Sequence, residues 1–144
     1  MNRCQQPDGL LDTLRTPIDG RVLTATDDGY DEARTPHFPV RIGTPLAVVR
    51  PKHVDDVAAT VDIARLSGVP LFVRSGGHSG AAHSTGDGIL LDLGSLTQLE
   101  IDVANRTAWA ETGLTAGAVA RALAPHGLAI GFGDTGSVGI GGSP

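Results

Sequence analysis

From Arg74 to Gly88 the chain reads Arg-Ser-Gly-Gly-His-Ser-Gly-Ala-Ala-His-Ser-Thr-Gly-Asp-Gly, with five glycines in fifteen residues. A stretch like this has few side chains to give to a core. It can bring bare backbone N–H groups close to an anionic ligand, because glycine lacks a Cβ and reaches φ values that other residues avoid. His78 lies in the tightest part of the loop, so an anion cradle and an imidazole share about one turn of chain. The loop follows Val69-Pro70-Leu71-Phe72-Val73, an apolar run that reads as a buried strand. Long glycine-rich loops in compact domains usually serve function. A long turn with no ligand is the bland alternative, and composition alone leaves it open.

The 144 residues suffice for one domain with a real core. Twenty glycines without a collagen period fit tight turns and close ligand approach, or simply a loop-rich fold. The formal charge is −5, and ten arginines plus the single Lys52 are scattered along the chain. No basic stripe accompanies an aromatic platform, which argues against a nucleic-acid partner. Cys4 stands alone, so neither an internal disulfide nor a multi-cysteine zinc site is available. The first residues lack the apolar core of a signal peptide, and no apolar run approaches the roughly 20 residues of a membrane span. The expectation is a soluble, cytoplasmic protein with no membrane partner.

Residues 1–39 read as an N-terminal extension, with Leu10, Leu11, Leu14 and Ile18 lining a short helix between Pro7, Pro17, Pro36 and Pro39. Ala47-Val48-Val49-Arg50 reads as a short buried strand stopped by Pro51. Val54, Val57, Ala58, Val61 and Ala64 then recur at helical spacing and predict one apolar helix face. Asp55 and Asp56 suit the first turn of that helix and Arg65 its last, with Gly68 and Pro70 as the stop. The strand–helix–strand unit delivers the glycine loop at the carboxyl end of a strand, where open mixed sheets bind ligands. Ile89–Leu93 reads as another buried strand. Leu99–Val103 and Thr107–Glu111 alternate around Ala104-Asn105-Arg106, which predicts a hairpin. Thr115 suits the cap of a helix with Ala118, Val119, Ala122 and Leu123 on its apolar face, closed by Gly127. A second glycine run extends from Gly131 to Gly142.

Several familiar patterns fail on context. Gly131-x-Gly133-x-x-Gly136 has the letters of a dinucleotide fingerprint, but the following Ser137–Pro144 is a poor helix former. Lys52 follows no glycine loop, so no phosphate-binding P-loop is present. His78 and His83 are five apart, with no thiolate and only Asp87 nearby, which makes a poor metal pair; no metal is expected. His37, His53 and His126 read as ordinary surface or cap residues. Ser75, Ser79 and Ser84 lack a nucleophile-elbow signature, so no catalytic residue is assigned.

Four segments together resemble a known family: Thr44–Pro51 with the helix from Val54, Val73–Ser79, Leu90-Leu91-Asp92-Leu93, and Gly136–Gly142. In order and spacing, roughly residues 40–142 look like the FAD-binding domain of the p-cresol methylhydroxylase (PCMH) and vanillyl-alcohol oxidase superfamily. Within it the chain is most similar to berberine-bridge-enzyme-like FAD-linked oxidases. The resemblance implies an α+β, PCMH-type FAD-binding fold of two small mixed α/β subdomains, the second one truncated. It places the domain at residues 40–144, incomplete at its C-terminus and without the family's substrate domain.

The resemblance also implies roles. FAD is the expected cofactor, its pyrophosphate held by backbone N–H groups of Ser75, Gly76, Gly77, His78 and Ser79, with the Arg74 side chain nearby. Ser137, Val138, Gly139, Gly141 and Gly142 would lie along the other side of the cofactor. His78 resembles the family's flavin-attachment residue. Doubly linked members carry a cysteine where this chain has Thr135, so at most one covalent link is expected. The implied function is the FAD-binding portion of a flavin-dependent oxidoreductase, meeting a small-molecule substrate only if another domain completes it. A non-catalytic truncated remnant, a small self-sufficient flavoprotein and a module that borrows a second chain stay open as alternatives.

Overall fold

Alternating apolar residues in three short strands decide the architecture, because successive side chains of a strand face opposite sides of its sheet. The computed structural model describes residues 9–38, 41–79, 85–133 and 135–142. Cys4, His83, Ser84 and Asp134 lie outside them, as does Val40, where the domain was expected to begin. Four strands form one sheet: β1 (Arg21–Leu23), β2 (Ala47–Arg50), β3 (Leu71–Arg74) and β4 (Ile89–Asp92), in the order β1-β2-β4-β3. β1 runs antiparallel to β2, while β2 and β3 both lie parallel to β4. Three helices accompany the sheet: α1 (Leu10–Arg15), α2 (Tyr30–Arg34) and α3 (Val54–Ser67).

The odd and even residues of the strands divide between two cores. Ala47, Val49, Ile89 and Leu91 meet Leu10, Leu14 and Ile18 from around α1 and Ala64 from α3. Val48 and Leu90 point the other way, onto Leu23 and onto Tyr30 and Ala33 of α2, with Phe72 alongside. All four residues of β4 are buried. Each large apolar side chain taken from water there contributes about 1.5–3 kcal/mol. The N-terminal segment packs on both faces of this sheet. Residues 10–34 supply an edge strand and two helices to this sheet, and the prolines fall between those elements rather than preventing them.

α3 forms over the expected residues and ends at Gly68, which is left-handed and donates its N–H to Ala64 O. Its buried face differs from the expected one. Val54 and Val61 are exposed, whereas Asp56, Thr60 and Ala64 are buried. Asp56 accepts three backbone N–H groups, from Asp19 (2.9 Å), Gly20 (3.0 Å) and Lys52 (2.7 Å). Burial pushes the Asp56 carboxyl up, but those donors and the neighbouring His53 outweigh it and hold the group below the ordinary carboxylate range. A hydrogen-bonded carboxylate thus outcompetes two valines for the interior. β3 departs too: it is an edge strand, and Val73 is half exposed instead of buried.

A smaller second lobe follows. β5 (Leu99–Asp102) and β6 (Thr107–Ala110) make the expected hairpin, in register from Leu99↔Ala110 to Asp102↔Thr107. Asp102 fixes the turn by accepting from the Asn105 N–H at 3.0 Å. Thr115 caps α4 (Ala116–Leu123) by accepting from the Ala118 N–H at 3.2 Å. Ala116, Val119 and Leu123 are the buried face of α4.

Candidate functional site

The carboxyl end of β3 meets the second glycine run across a backbone-to-backbone contact. A Cβ placed on Gly76 would lie 2.5 Å from the Gly139 nitrogen, and one on Gly139 would lie 2.5 Å from the Gly76 nitrogen. Only two glycines allow that approach. Ser75 secures it by donating its hydroxyl to Thr112 O at 2.5 Å. The second run is itself tied to the start of α4, whose Ala116 and Gly117 N–H groups donate to the carbonyls of Val138 and Gly136, both at 2.9 Å. Ile140 N–H donates back to Leu114 O at 2.9 Å.

Between the runs lies a cavity of about 930 Å³, near the upper end of the roughly 300–1,000 Å³ typical of ligand sites. Every residue singled out from the sequence lines it: Arg74–Ser79 from the first loop, and Ser137, Val138, Gly139, Gly141 and Gly142 from the second. Among the described residues, the amides of Gly76, Gly77, His78 and Ser79 donate to no protein acceptor, and neither do those of Gly139 and Gly141. Gly77 and Gly139 are buried all the same. Buried backbone donors are rarely left over, and amides without a protein acceptor beside one cavity are groups that an anion could use.

Arg74, which also lines the cavity, has a buried guanidinium that donates to Asp92 Oδ2 at 2.8 Å, to Thr35 O at 3.2 Å and to Ala33 O. Arg50 reaches the same Asp92 oxygen at 3.0 Å. Arg74 thus holds the segment after α2 against the end of β3, and it shares the single Asp92 carboxylate with Arg50.

That segment brings in residues that reading the sequence missed. His37 stacks on His78, with ring centroids 4.0 Å apart and planes 14° from parallel. Phe38 meets His78 edge-on at 5.4 Å. His37, Phe38, Leu93 and Thr112 all line the cavity. His37 and His78 are 41 positions apart in sequence, and no local pattern links them. His53, also read as a cap or surface residue, occupies the N-cap position of α3 without a side-chain cap bond and instead pairs with Asp19 at 3.1 Å. Thr135 lines the cavity and bonds Ser137, hydroxyl to hydroxyl, at 3.2 Å.

A family model described as an FAD binding domain matches residues 45–144. The chain belongs to that FAD binding domain family. FAD is its cofactor, and the cavity and free amides fit the group's diphosphate. Among its relatives, an uncharacterized FAD-linked oxidoreductase of Bacillus subtilis is 35% identical over 129 residues, 88% of this chain and 29% of the relative. Berberine bridge enzyme-like 5 of Arabidopsis thaliana is 35% identical over 102 residues, covering 67% of this chain and 19% of its own length. The solved 6-hydroxy-D-nicotine oxidase of Arthrobacter nicotinovorans superposes with a TM-score of 0.82 at 32% identity, over 85% of this chain and 27% of that one. This FAD binding domain therefore has the PCMH-type α/β fold of those enzymes and spans less than a third of the length of these relatives. Among the described residues, no helix is long and apolar enough to cross a membrane.

Proposed function

We propose that this chain is the part of an FAD-dependent oxidoreductase that grips the FAD diphosphate and carries the flavin on His78. The observation that carries the reading is the set of free amides at Gly76–Ser79, Gly139 and Gly141 around one cavity. On this reading Ser75, Gly76, Gly77, His78 and Ser79 hold one side of the cofactor. Ser137, Val138, Gly139, Gly141 and Gly142 hold the other. Arg74 sets the loop from below. Bound FAD would supply a two-electron acceptor for hydride from a substrate C–H bond, with dioxygen or another acceptor taking the electrons onward. Substrate recognition needs polypeptide other than these 144 residues, in keeping with the greater length of the relatives.

Attachment at His78 would replace one C–H bond of the flavin C8 methyl group and the imidazole N–H with a C–N bond, and the two electrons and two protons released would reduce one dioxygen to hydrogen peroxide. The chain's contribution is an imidazole held beside a cofactor whose diphosphate is anchored by the same loop. Incubation with FAD followed by acid precipitation tests this: yellow, fluorescent protein is the expected result. His78→Ala should lose the acid-stable flavin and keep reversible binding. Acid-stable flavin persisting in that variant would move the link elsewhere. A melting temperature that does not rise with FAD concentration would leave the non-catalytic remnant as the better reading.

A further inference from the structure

His37 lies outside the family model's match and outside both glycine runs, yet it covers one face of the His78 ring. We propose that His37 is a positioning residue for flavin attachment: its imidazole face, backed by the edge of Phe38, fixes the plane of the His78 ring. The inference rests on the assignment of attachment to His78. The lone pair that forms a bond from an imidazole nitrogen lies in the ring plane, so setting that plane sets the line of attack.

Three contacts make the strap that carries His37 a built feature. Arg74 holds the carbonyls of Ala33 and Thr35, just before it. Gly77 is left-handed at φ 69°, and a Cβ there would come within 3.2 Å of the His37 nitrogen and 3.6 Å of Pro36 Cα. The strap therefore rests directly on the loop. The third contact is the ring stack itself. An imidazole turns readily about χ2, which has a broad, nearly two-fold profile. Here a parallel ring and a perpendicular ring restrict that rotation.

The role asks for an aromatic face at position 37 and nothing of its nitrogens. That requirement separates it from proton transfer and from general wall-building. In the full chain, His37→Ala should slow acid-stable flavin attachment by about 10- to 100-fold, the scale of an angstrom-level misplacement of a reacting group. His37→Phe should restore the rate to within about threefold, whereas His37→Asn should stay as slow as the alanine variant. Reversible FAD affinity, measured in a His78→Ala background, should fall by less than the attachment rate does with each of these substitutions. Without cofactor, the ring protons of His78 should lose an upfield NMR shift in His37→Ala and keep it in His37→Phe. An unchanged rate in His37→Ala overturns the proposal, as does a phenylalanine variant as slow as alanine, which would make a nitrogen the active feature. Affinity falling in step with rate overturns it too, making His37 a wall of the site. If the wild type acquires no acid-stable flavin, the His78 assignment itself fails, and the NMR comparison still reports whether the stack exists.

Discussion

The two lobes flank the same cavity but are held together differently. In the first, all of β4 and most of β2 are buried, and side chains from residue 10 to residue 92 interlock on both faces of one sheet. In the second, neither strand of the hairpin contains a buried residue, and Trp109 and Ile130 are each more than half exposed. Its order comes from the buried face of α4, from turns and the Thr115 cap, and from the contact between Gly139 and Gly76. A core built from both faces of a sheet can carry a loop of free amides. A hairpin with open faces contributes by laying its glycine run against that loop. Folding stability should therefore reside in the first lobe, and the geometry of the cofactor site in the seam.

Substitutions can break or sharpen this contrast, and the largest effect belongs under the loop. Asp92→Ala strands Arg74 and Arg50 without their shared carboxylate, so it should cost about 4 kcal/mol, as broken buried pairs do. Thermal melting should fall by roughly 10 °C for a domain of this size. Asp56→Ala removes the acceptor of three N–H groups and should cost about 3 kcal/mol at neutral pH. Because the folded carboxyl titrates below its unfolded counterpart, its stabilisation is fully present above the unfolded pKa, about 3.9. It is lost as pH falls through the folded value. The gap between wild type and variant in urea titrations should thus be constant near neutrality and narrow in acid; a gap that widened in acid would reverse that sign.

Smaller effects are expected at and beyond the seam. Gly139→Ala places a methyl 2.5 Å from the Gly76 nitrogen and should cost about 2 kcal/mol by forcing the runs apart. Its clearer signature should be an FAD affinity reduced by at least tenfold, or about 1.4 kcal/mol. Trp109→Ala, on the open hairpin, should change stability by no more than about 0.5 kcal/mol. A loss comparable to that at Asp92 would mean that the second lobe carries a core of its own.

Much of this was legible in the sequence where the cause is local. The alternation of Leu99–Val103 and Thr107–Glu111, the Asn105 turn, the Thr115 cap and the Gly68 stop each depend on neighbours a few positions away, and each forms as read. The glycine runs were legible for the same reason. The misreadings are all long-range. Nothing within α3 says that Asp56 will find donors at residues 19 and 20, so the apolar pattern, right for Val57 and Ala64, misplaced Val54 and Val61. β1 is three residues long and becomes a strand by pairing with β2. Arg74 lines the cavity, and what no local pattern shows is its set of partners at residues 33, 35 and 92, spread across the chain. His37 lies just beyond the carbonyls that this arginine holds, on His78 and far from it in sequence.

The central claim is that the free amides of both glycine runs hold the cofactor's diphosphate. Titrating the nitrogen-15-labelled chain with FAD while following its amide resonances tests that claim most directly. The amides of Gly76–Ser79 should move together with those of Gly139 and Gly141, and ADP, which keeps the diphosphate but lacks the flavin, should move the same set. Saturation by FAD with these six resonances unmoved would contradict it.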